Sequence, residues 1–216
     1  MTFFIRLFIV CLLFNFEPGQ SQHLKNFDKI NLGQQAFFLV TRGTRSKGDF
    51  IAQKFNISDK CSTHIGIGII ENGSLKIFNV TNEEKDSPSA LVREAIERFI
   101  NQPDIEYFSI WECRASPEEL QELQLLLYDY LKRKVAFDFD FSADDDANMY
   151  CSEFCAKILK TLHPDSHYPL TEIKLDPFYS LALERKILLY WPVDFFQSNA
   201  RFKKIYEVYF DEFGQN

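Results

Sequence analysis

Two residues far apart in this chain, Cys151 and His64, supply a thiol and an imidazole, the minimum equipment for covalent acyl transfer. A thiol attacks a carbonyl carbon efficiently only after it loses its proton, so a nucleophilic cysteine needs a nearby base and surroundings that favour the anion. In this chain the base comes before the nucleophile. The residues around each side chain indicate which elements must carry them.

Cys151 lies where a polar stretch gives way to an amphipathic pattern. Apolar residues recur there at helical spacing, at Tyr150, Phe154, Ile158 and Leu162. The pattern predicts a helix with Cys151 in its first turn, where unpaired amides and the helix dipole favour a thiolate and a lowered pKa. The same amides could hold an oxyanion. The competing interpretation is a small buried cysteine on an amphipathic helix.

His64 lies in a segment that predicts a strand, since isoleucines alternate with glycines over 65–69. The pair Asn72 and Gly73 then predicts a hairpin turn, with the second strand over 75–80. Period-two alternation puts the imidazole on the same face as the two glycines, which leaves room beside it for another element. The competing interpretation is an ordinary surface histidine above an amphipathic strand.

Together these segments resemble a known family, the circularly permuted papain-like cysteine peptidases and amidases of the NlpC superfamily, specifically the YiiX-like group. The resemblance runs over most of the chain and is carried by matches in the family's order. A glycine-led early strand is matched by Gly33–Val40, and a His-x-Gly strand by His64–Gly66. An aromatic-Asp-x-x-Phe segment is matched by Phe137–Phe141, and the Tyr-Cys-Ser-Glu that follows it by Tyr150–Glu153. The closing Pro-x-Asp segment is matched within Tyr190–Ser198.

The resemblance implies that Cys151 is the nucleophile, that His64 is the general base, and that a polar residue on the following strand orients the imidazole. Alignment of the hairpins brings Asn79 to this third position, where family members often carry Glu. An amide can hold an imidazole, as in papain-like enzymes generally, but it cannot stabilise an imidazolium by charge. The competing interpretation of Asn79 is an ordinary polar residue of a strand.

The chain departs from the family pattern at Gln34, where Asp is usual, and at Phe137, where Tyr is usual. Neither position adjoins the proposed thiol or imidazole. Asp138 and Glu153 are not among the expected catalytic residues. An acidic run near a turn is usually solvated, and Glu153 points away from Cys151 on the predicted helix, where a structural contact is favoured.

The expected fold class is α+β, a single papain-like or NlpC-type domain over 22–216 in which helices, including that of Cys151, pack on an antiparallel sheet. The resemblance implies a circularly permuted order, in which the histidine precedes the cysteine as it does here. The other predicted elements are a helix over 87–101, a strand over 105–111, a helix opened by the N-cap Ser116 and its capping box, a turn-rich connection over 164–176, and strands over 186–190 and 203–209.

The composition is that of an ordinary globular domain, with 216 residues, 46% hydrophobic and 25% charged. A formal net charge of -7 argues against a nucleic-acid partner, because phosphate binding needs a basic face. The sequence has no glycine-rich phosphate loop, and thiol acyl transfer needs no cofactor.

Residues 1–21 predict a signal peptide. Arg6 is an early cation, the apolar stretch that follows is too short for a comfortable membrane span, and Gly19 and Ser21 provide small residues before the expected cleavage site. The mature chain would begin near Gln22, would be periplasmic or secreted, and would keep no stable membrane span. A buried N-terminal helix is the alternative.

Export would remove Cys11 and leave Cys61, Cys113, Cys151 and Cys155, which could pair in three ways in an oxidising compartment. Cys155 follows Cys151 by one helical turn, where disulfide geometry is seldom met, so a small core residue is favoured over a resolving thiol. The absence of a Cys-x-x-Cys pair disfavours a zinc site.

The expected function is that of an exported cysteine hydrolase that cleaves an amide or peptide bond, with a peptide or amide substrate such as those that the wider superfamily takes from cell walls. Two alternatives stay open. A thiol acyltransferase or lipid thioesterase is one, because related permuted folds transfer acyl groups. A catalytically inactive binding module is the other, and Asn79 in an often acidic position favours it.

Overall fold

The computed structural model describes residues 30, 32–82, 89–102, 104–143 and 145–210. The predicted signal peptide, 1–21, and Cys11 lie outside these residues. The described strands are β1 (Ala36–Thr44), β2 (His64–Glu71), β3 (Ser74–Val80), β4 (Leu91–Ala95), β5 (Ile105–Arg114), β6 (Ala136–Phe137), β7 (Asn148–Met149), β8 (Thr171–Lys174), β9 (Ile187–Tyr190) and β10 (Phe202–Tyr209). The helical segments are α1 (45–55), α2 (Ile96–Ile100), α3 (Pro117–Lys132), α4 (Cys151–Leu162) and α5 (Pro177–Ala182).

Six strands form the main sheet in the order β10-β5-β1-β2-β3-β4. Every neighbouring pair in it is antiparallel. Two small pairs lie apart from it, β6 with β7 and β8 with β9. The predicted α+β class, with a mainly antiparallel sheet packed by helices, is therefore confirmed.

Both faces of the sheet are buried. On one face, Ile65, Ile67 and Ile69 of β2 share a core with Phe154 and Ile158 of α4. On the other face, strand residues such as Val40 and Ile77 share a second core with Phe99 of α2. The two-sided burial explains why the central strand β1 is apolar at most positions instead of alternating with polar residues.

The hairpin that follows His64 forms as predicted. Asn72 and Gly73 both have positive φ, 50° and 76°, which is the requirement of the tight turn that joins two twisted antiparallel strands. The room expected beside the glycines is occupied by β3. A Cβ atom on Gly66 would lie 2.6 Å from Cγ2 of Ile77 and 2.9 Å from the carbonyl oxygen of Phe78. The glycines thus allow β3 to approach β2 closely. The helix α4 packs on the other face of the sheet, which carries Ile65, Ile67 and Ile69.

The predicted helix over 87–101 is wrong over 91–95, and its residues 87 and 88 lie outside the described residues. Leu91–Ala95 is instead β4, which pairs with β3, and only Ile96–Ile100 is helical. Pairing with the open edge of the sheet overrides the helical spacing of the apolar residues, which is too short a pattern to decide between the two. The connection expected over 164–176 contains β8, which pairs with β9.

The other predicted elements are confirmed. Ser116 caps α3 with a capping box, in which its hydroxyl accepts from the backbone N–H of Glu119 and the Glu119 carboxylate accepts from the backbone N–H of Ser116. Cys151 is the first residue of α4. Within the described residues, no helix is long and apolar enough to cross a membrane.

The loop that leads into β2 is held by a buried carboxylate. Asp194, in the segment expected to close the fold, accepts from the backbone N–H groups of Ile57, Ser58 and Asp59 at 3.0, 2.7 and 2.9 Å. Asp59 in turn accepts from the N–H groups of residues 61 and 62. The position of His64 therefore depends on contacts with a segment more than a hundred residues away in the chain.

We expect Asp194→Ala to lower the free energy of unfolding by about 3 kcal/mol, because three backbone N–H groups lose a charged acceptor in a partly buried loop. Chemical denaturation measures the change. The matched control is Asp165→Ala, an exposed aspartate that should change stability by less than about 0.5 kcal/mol. Equal stability of the two variants would contradict the role given to Asp194.

Candidate active site

The thiol of Cys151 lies at the start of α4, in the first turn as the sequence predicted. The helix start is tied to Trp191. The hydroxyl of Ser152 donates to the Trp191 carbonyl oxygen at 2.7 Å, and the backbone N–H of Trp191 donates to the Tyr150 hydroxyl at 2.9 Å. The residues on both sides of Cys151 are therefore fixed by the same neighbouring segment.

Burial raises the pKa of the Cys151 thiol, which is only 9% exposed. The backbone N–H groups of Ile65 and Ser152 and the charges of Lys47 and Arg42 lower it, but they do not outweigh the loss of hydration. The lowered pKa expected from the helix start is thus wrong in direction. Helix-terminal amides do act on the sulfur, yet an apolar pocket penalises the thiolate more strongly.

The imidazole of His64 lies at the first residue of β2 and is nearly buried. Its Nε2 atom is 2.8 Å from Oδ1 of Asn79 on β3. Its ring also stacks obliquely on Phe99, with 5.6 Å between the ring centroids. The structure therefore brings His64 and Asn79 together in the way that the family resemblance implied. They lie on the side of the sheet that carries Phe99, whereas the core residues of α4 pack on the other side. His64 and Cys151 reach one pocket because each is the first residue of its element, β2 or α4.

The charge state of His64 follows from its surroundings. Burial is the largest influence and holds its pKa well below the usual value of 6.5. The positive charges of Arg42 and Lys47 lower it further, while the hydrogen bond to Asn79 raises it. Arg42 is the cross-strand partner of His64 on β1, so this positive charge is built into the register of the sheet. The imidazole is neutral at physiological pH.

Sequence reasoning missed a fourth residue, Glu94. Its Oε1 atom accepts a hydrogen bond from Nδ2 of Asn79 at 2.7 Å. His64, Asn79 and Glu94 thus lie in a row across three neighbouring strands, β2, β3 and β4. Glu94 was missed because its segment predicts a helix, and a helix gives no reason to place the Glu94 side chain beside Asn79. A strand interpretation of 91–95 would have placed it on the face that Asn79 occupies.

Cys151 and His64 line one cavity of about 550 Å³, and the sulfur contacts the backbone N–H of Ile65, the residue next to His64. The walls are predominantly apolar and aromatic. They include Phe50, Phe55, Phe137, Phe139, Phe141, Phe178, Tyr179, Leu188, Tyr190, Trp191 and Val193. Polar lining groups include Lys47, Asn56, Thr63, Thr81 and Asn82. A small set of reactive groups in a mostly apolar concave site is typical of a ligand or substrate pocket.

The two acidic residues left off the catalytic set have structural contacts. Glu153 is fully buried, accepts from the Tyr150 N–H and pairs with Lys157 at 2.8 Å; burial raises its pKa to about 7. Asp138 is buried too, not solvated as expected, because its carboxylate accepts from the N–H groups of Asp140 and Ser142. Both carboxylates stabilise the segments that lead into Cys151.

The four described cysteines are all free thiols. Cys155 is fully buried in the core beneath α4, as expected of a small core residue, and burial raises its pKa well above the usual value. None of the three pairings that the sequence left open is formed in the structure.

No protein-family model and no curated protein matches the chain. A solved structure described as the metalloprotein YiiX from Escherichia coli O157:H7 is similar to it, with a TM-score of 0.59 and 15% sequence identity, and the match covers 81% of this chain and 98% of that one. At this identity the likeness concerns the fold. The chain has a YiiX-like fold.

The description of YiiX as a metalloprotein raises the question of a metal site in this chain. Among the residues that the structure describes, no three or more His, Cys, Asp or Glu side chains come together in a way that could hold a metal ion. The described side chains therefore do not fit such an ion, and we assign none to this site.

We expect His64 to lower the free energy of unfolding as the pH drops below about 6.5, because the unfolded chain then binds a proton that the buried imidazole does not bind in the folded protein. His64→Gln, which removes the titrating group, should lose less free energy of unfolding between pH 7.5 and pH 5 than the natural protein. Denaturation at both pH values measures this difference. Burial also lowers the pKa of His163 and raises that of Glu153 to about 7, but both residues are present in both proteins, so their contributions cancel in the comparison. An identical pH dependence would contradict a buried neutral His64.

Proposed function

We propose that this protein is a cysteine hydrolase that cleaves an amide or peptide bond through an acyl-enzyme on Cys151. The observation that supports this most directly is that Cys151 and His64 line one pocket while Asn79 holds Nε2 of the imidazole. That hydrogen bond leaves Nδ1 as the nitrogen that can take a proton. The roles are nucleophile for Cys151, general base for His64 and orienting residue for Asn79.

In the first half-reaction, the sulfur attacks the carbonyl carbon of the substrate while the thiol proton passes to Nδ1 of His64. A carbon–sulfur bond forms, and the electron pair of the C=O π bond moves onto the oxygen. The tetrahedral intermediate then collapses. Its carbon–nitrogen bond breaks as the imidazolium gives the proton to the leaving amine, and an acyl thioester remains on Cys151.

In the second half-reaction, water attacks the thioester carbon and loses a proton to Nδ1 of His64. The carbon–sulfur bond breaks, the sulfur regains the proton, and the carboxylic acid leaves. The sum is one amide plus one water giving one acid and one amine. The neutral imidazole required at the start of each half-reaction is the state that burial and the charges of Arg42 and Lys47 favour.

The directions of the two pKa shifts favour a neutral resting pair over a thiolate–imidazolium pair. Burial raises the pKa of Cys151 and lowers that of His64, so the proton stays on the sulfur until a substrate arrives. General-base catalysis needs only that the proton moves during the attack. The hydrolase proposal thus does not depend on the resting thiolate that the sequence led us to expect.

The finer parts of the proposal are those that the family resemblance implied. We propose that the YiiX-like fold of this chain is a circularly permuted papain-like arrangement, in which the strand of the base precedes the helix of the nucleophile. We also propose that residues 1–21 direct export, and that the substrate is a peptide or amide outside the cytoplasm, such as one derived from the cell wall.

Cys151→Ala should lower turnover of amide substrates by about 10³-fold or more while the protein keeps its fold, because the variant lacks the thiol that forms the proposed acyl-enzyme. A library of fluorogenic peptide amides measures turnover, and mass spectrometry of the quenched natural protein detects the acyl adduct. Cys155→Ala is the matched control, since this buried thiol lies one helical turn away and should leave turnover within about threefold. Turnover by Cys151→Ala at the natural rate would exclude the thiol mechanism. The absence of both turnover and adduct in the natural protein would favour a binding module.

A second candidate function, a lipid thioesterase or thiol acyltransferase, is favoured by the pocket walls. Phe50, Phe139 and Phe178 line the pocket and are also exposed at its mouth, Phe139 by 65% and Phe178 by 71%. Such a wall would bind an apolar acyl chain with little cost in desolvated polar groups. The same thiol chemistry applies, with a thiol or alcohol as the leaving group or acceptor.

We expect Phe178→Ser to lower kcat/KM for a decanoyl p-nitrophenyl ester by about tenfold, and to leave the acetyl ester nearly unchanged, because only the long chain reaches the mouth of the pocket. Steady-state kinetics on the two esters measures the ratio. Leu125→Ser is the matched control, since Leu125 is 66% exposed on α3 and does not line the pocket. An equal loss for both esters in Phe178→Ser would argue against an acyl-chain site.

A further inference from the structure

We propose that Glu94 is a positioning residue that sets the orientation of the Asn79 amide and, through it, the tautomer of His64. This inference rests on the proposed function, since it explains why Nδ1 is the nitrogen available as the base. The Asn79 amide lies between the Glu94 carboxylate and the imidazole and is hydrogen-bonded to both. The effect of Glu94 on the imidazole passes through the Asn79 amide.

The Asn79 amide is fully buried between two partners. Its oxygen is 2.8 Å from Nε2 of His64, and its nitrogen donates to Oε1 of Glu94 at 2.7 Å. An amide that turns over by 180° exchanges these two atoms. Its orientation therefore decides whether His64 faces a hydrogen-bond acceptor or a donor. A neutral imidazole can accept or donate, so the orientation is fixed by a partner that can do only one of the two.

Glu94 is the partner that can only accept a hydrogen bond. Its carboxylate pairs with Arg98 at 3.5 Å, and an ionised carboxylate only accepts hydrogen bonds. The Asn79 nitrogen must face it, because the reverse orientation would press an amide oxygen against a carboxylate oxygen at hydrogen-bond distance. The Asn79 oxygen must then face His64, Nε2 must carry the proton, and Nδ1 keeps the lone pair.

The register of the sheet builds this arrangement. Asn79 pairs with Val92 across β3 and β4, and Ile77 pairs with Glu94, so the side chains of Asn79 and Glu94 are diagonal neighbours on one face. Among the described residues, the charged groups that act on this site include Arg42 on β1, Lys47 in α1 and Arg98 on α2. Because Asn79 separates the Glu94 carboxylate from the imidazole, the carboxylate can orient the ring and still leave it neutral. A carboxylate in direct contact with the ring would favour the imidazolium.

Nitrogen-15 NMR of histidine-labelled protein tests the proposal, because multiple-bond ¹H–¹⁵N spectra separate the two imidazole tautomers without any need for activity. We expect His64 in the natural protein to be the Nε2–H tautomer. Glu94→Leu, which removes the acceptor, should add a Nδ1–H population and lower kcat by about tenfold with KM within about twofold. Glu97→Leu is the matched control, an exposed glutamate on α2, and should change neither readout.

An exchange of the two groups keeps the test decisive if Glu94→Leu does not fold. In the double variant Asn79→Asp with Glu94→Gln, the new amide donates to the new carboxylate, which accepts from Nε2 of His64. We expect this variant to fold, to keep the Nε2–H tautomer, and to be more stable than Asn79→Asp alone, in which two carboxylates meet.

Three results would overturn the role of Glu94. They are a Nδ1–H tautomer in the natural protein, a folded Glu94→Leu variant with the Nε2–H tautomer and unchanged kcat, and a double variant no more stable than Asn79→Asp. A natural protein with the Nε2–H tautomer but no turnover of any ester or amide would sink the proposed hydrolase and leave the positioning role of Glu94 supported. The NMR measurement therefore tests the role of Glu94 independently of the kinetic measurement, which tests the proposed hydrolase.

Discussion

The hydrogen bond between the buried imidazole of His64 and the side-chain oxygen of Asn79 is the interaction on which the site depends. It joins two neighbouring strands in a place with little access to water, where an unpaired ring nitrogen would be costly. It also decides which nitrogen of the ring is left for chemistry. The glycine at position 66 makes it possible, because any larger side chain there would collide with Ile77 and the backbone of β3.

The segment around Trp191 and Asp194 brings the two halves of the site to the same pocket. Trp191 fixes the residues on both sides of Cys151 at the start of α4, and Asp194 binds the loop that enters β2 just before His64. Both contacts are hydrogen bonds to backbone groups or buried hydroxyls, which restrict position more than apolar packing does. One short segment late in the chain therefore positions both the thiol and the imidazole.

Burial sets the protonation of both reactive groups, and it does so in opposite directions. It disfavours the thiolate of Cys151 and the imidazolium of His64, so the pair rests without charge. The nearby charges of Arg42 and Lys47 favour an anion on sulfur and oppose a cation on the ring. The same apolar walls would favour an apolar group on the substrate of the proposed hydrolase, so in that proposal burial governs both the protonation and the specificity of the site.

Local patterns in the sequence determined the helix that begins at Cys151, the strand of His64, the Asn72–Gly73 hairpin and the cap of α3, because each depends on neighbours in the chain. The resemblance to the permuted papain-like family predicted that Asn79 is the residue beside His64. Only the tertiary structure decided that Leu91–Ala95 is a strand, that Glu94 reaches Asn79, and that burial raises the pKa of Cys151. Edge pairing and desolvation depend on residues distant in sequence, so no local pattern encodes them.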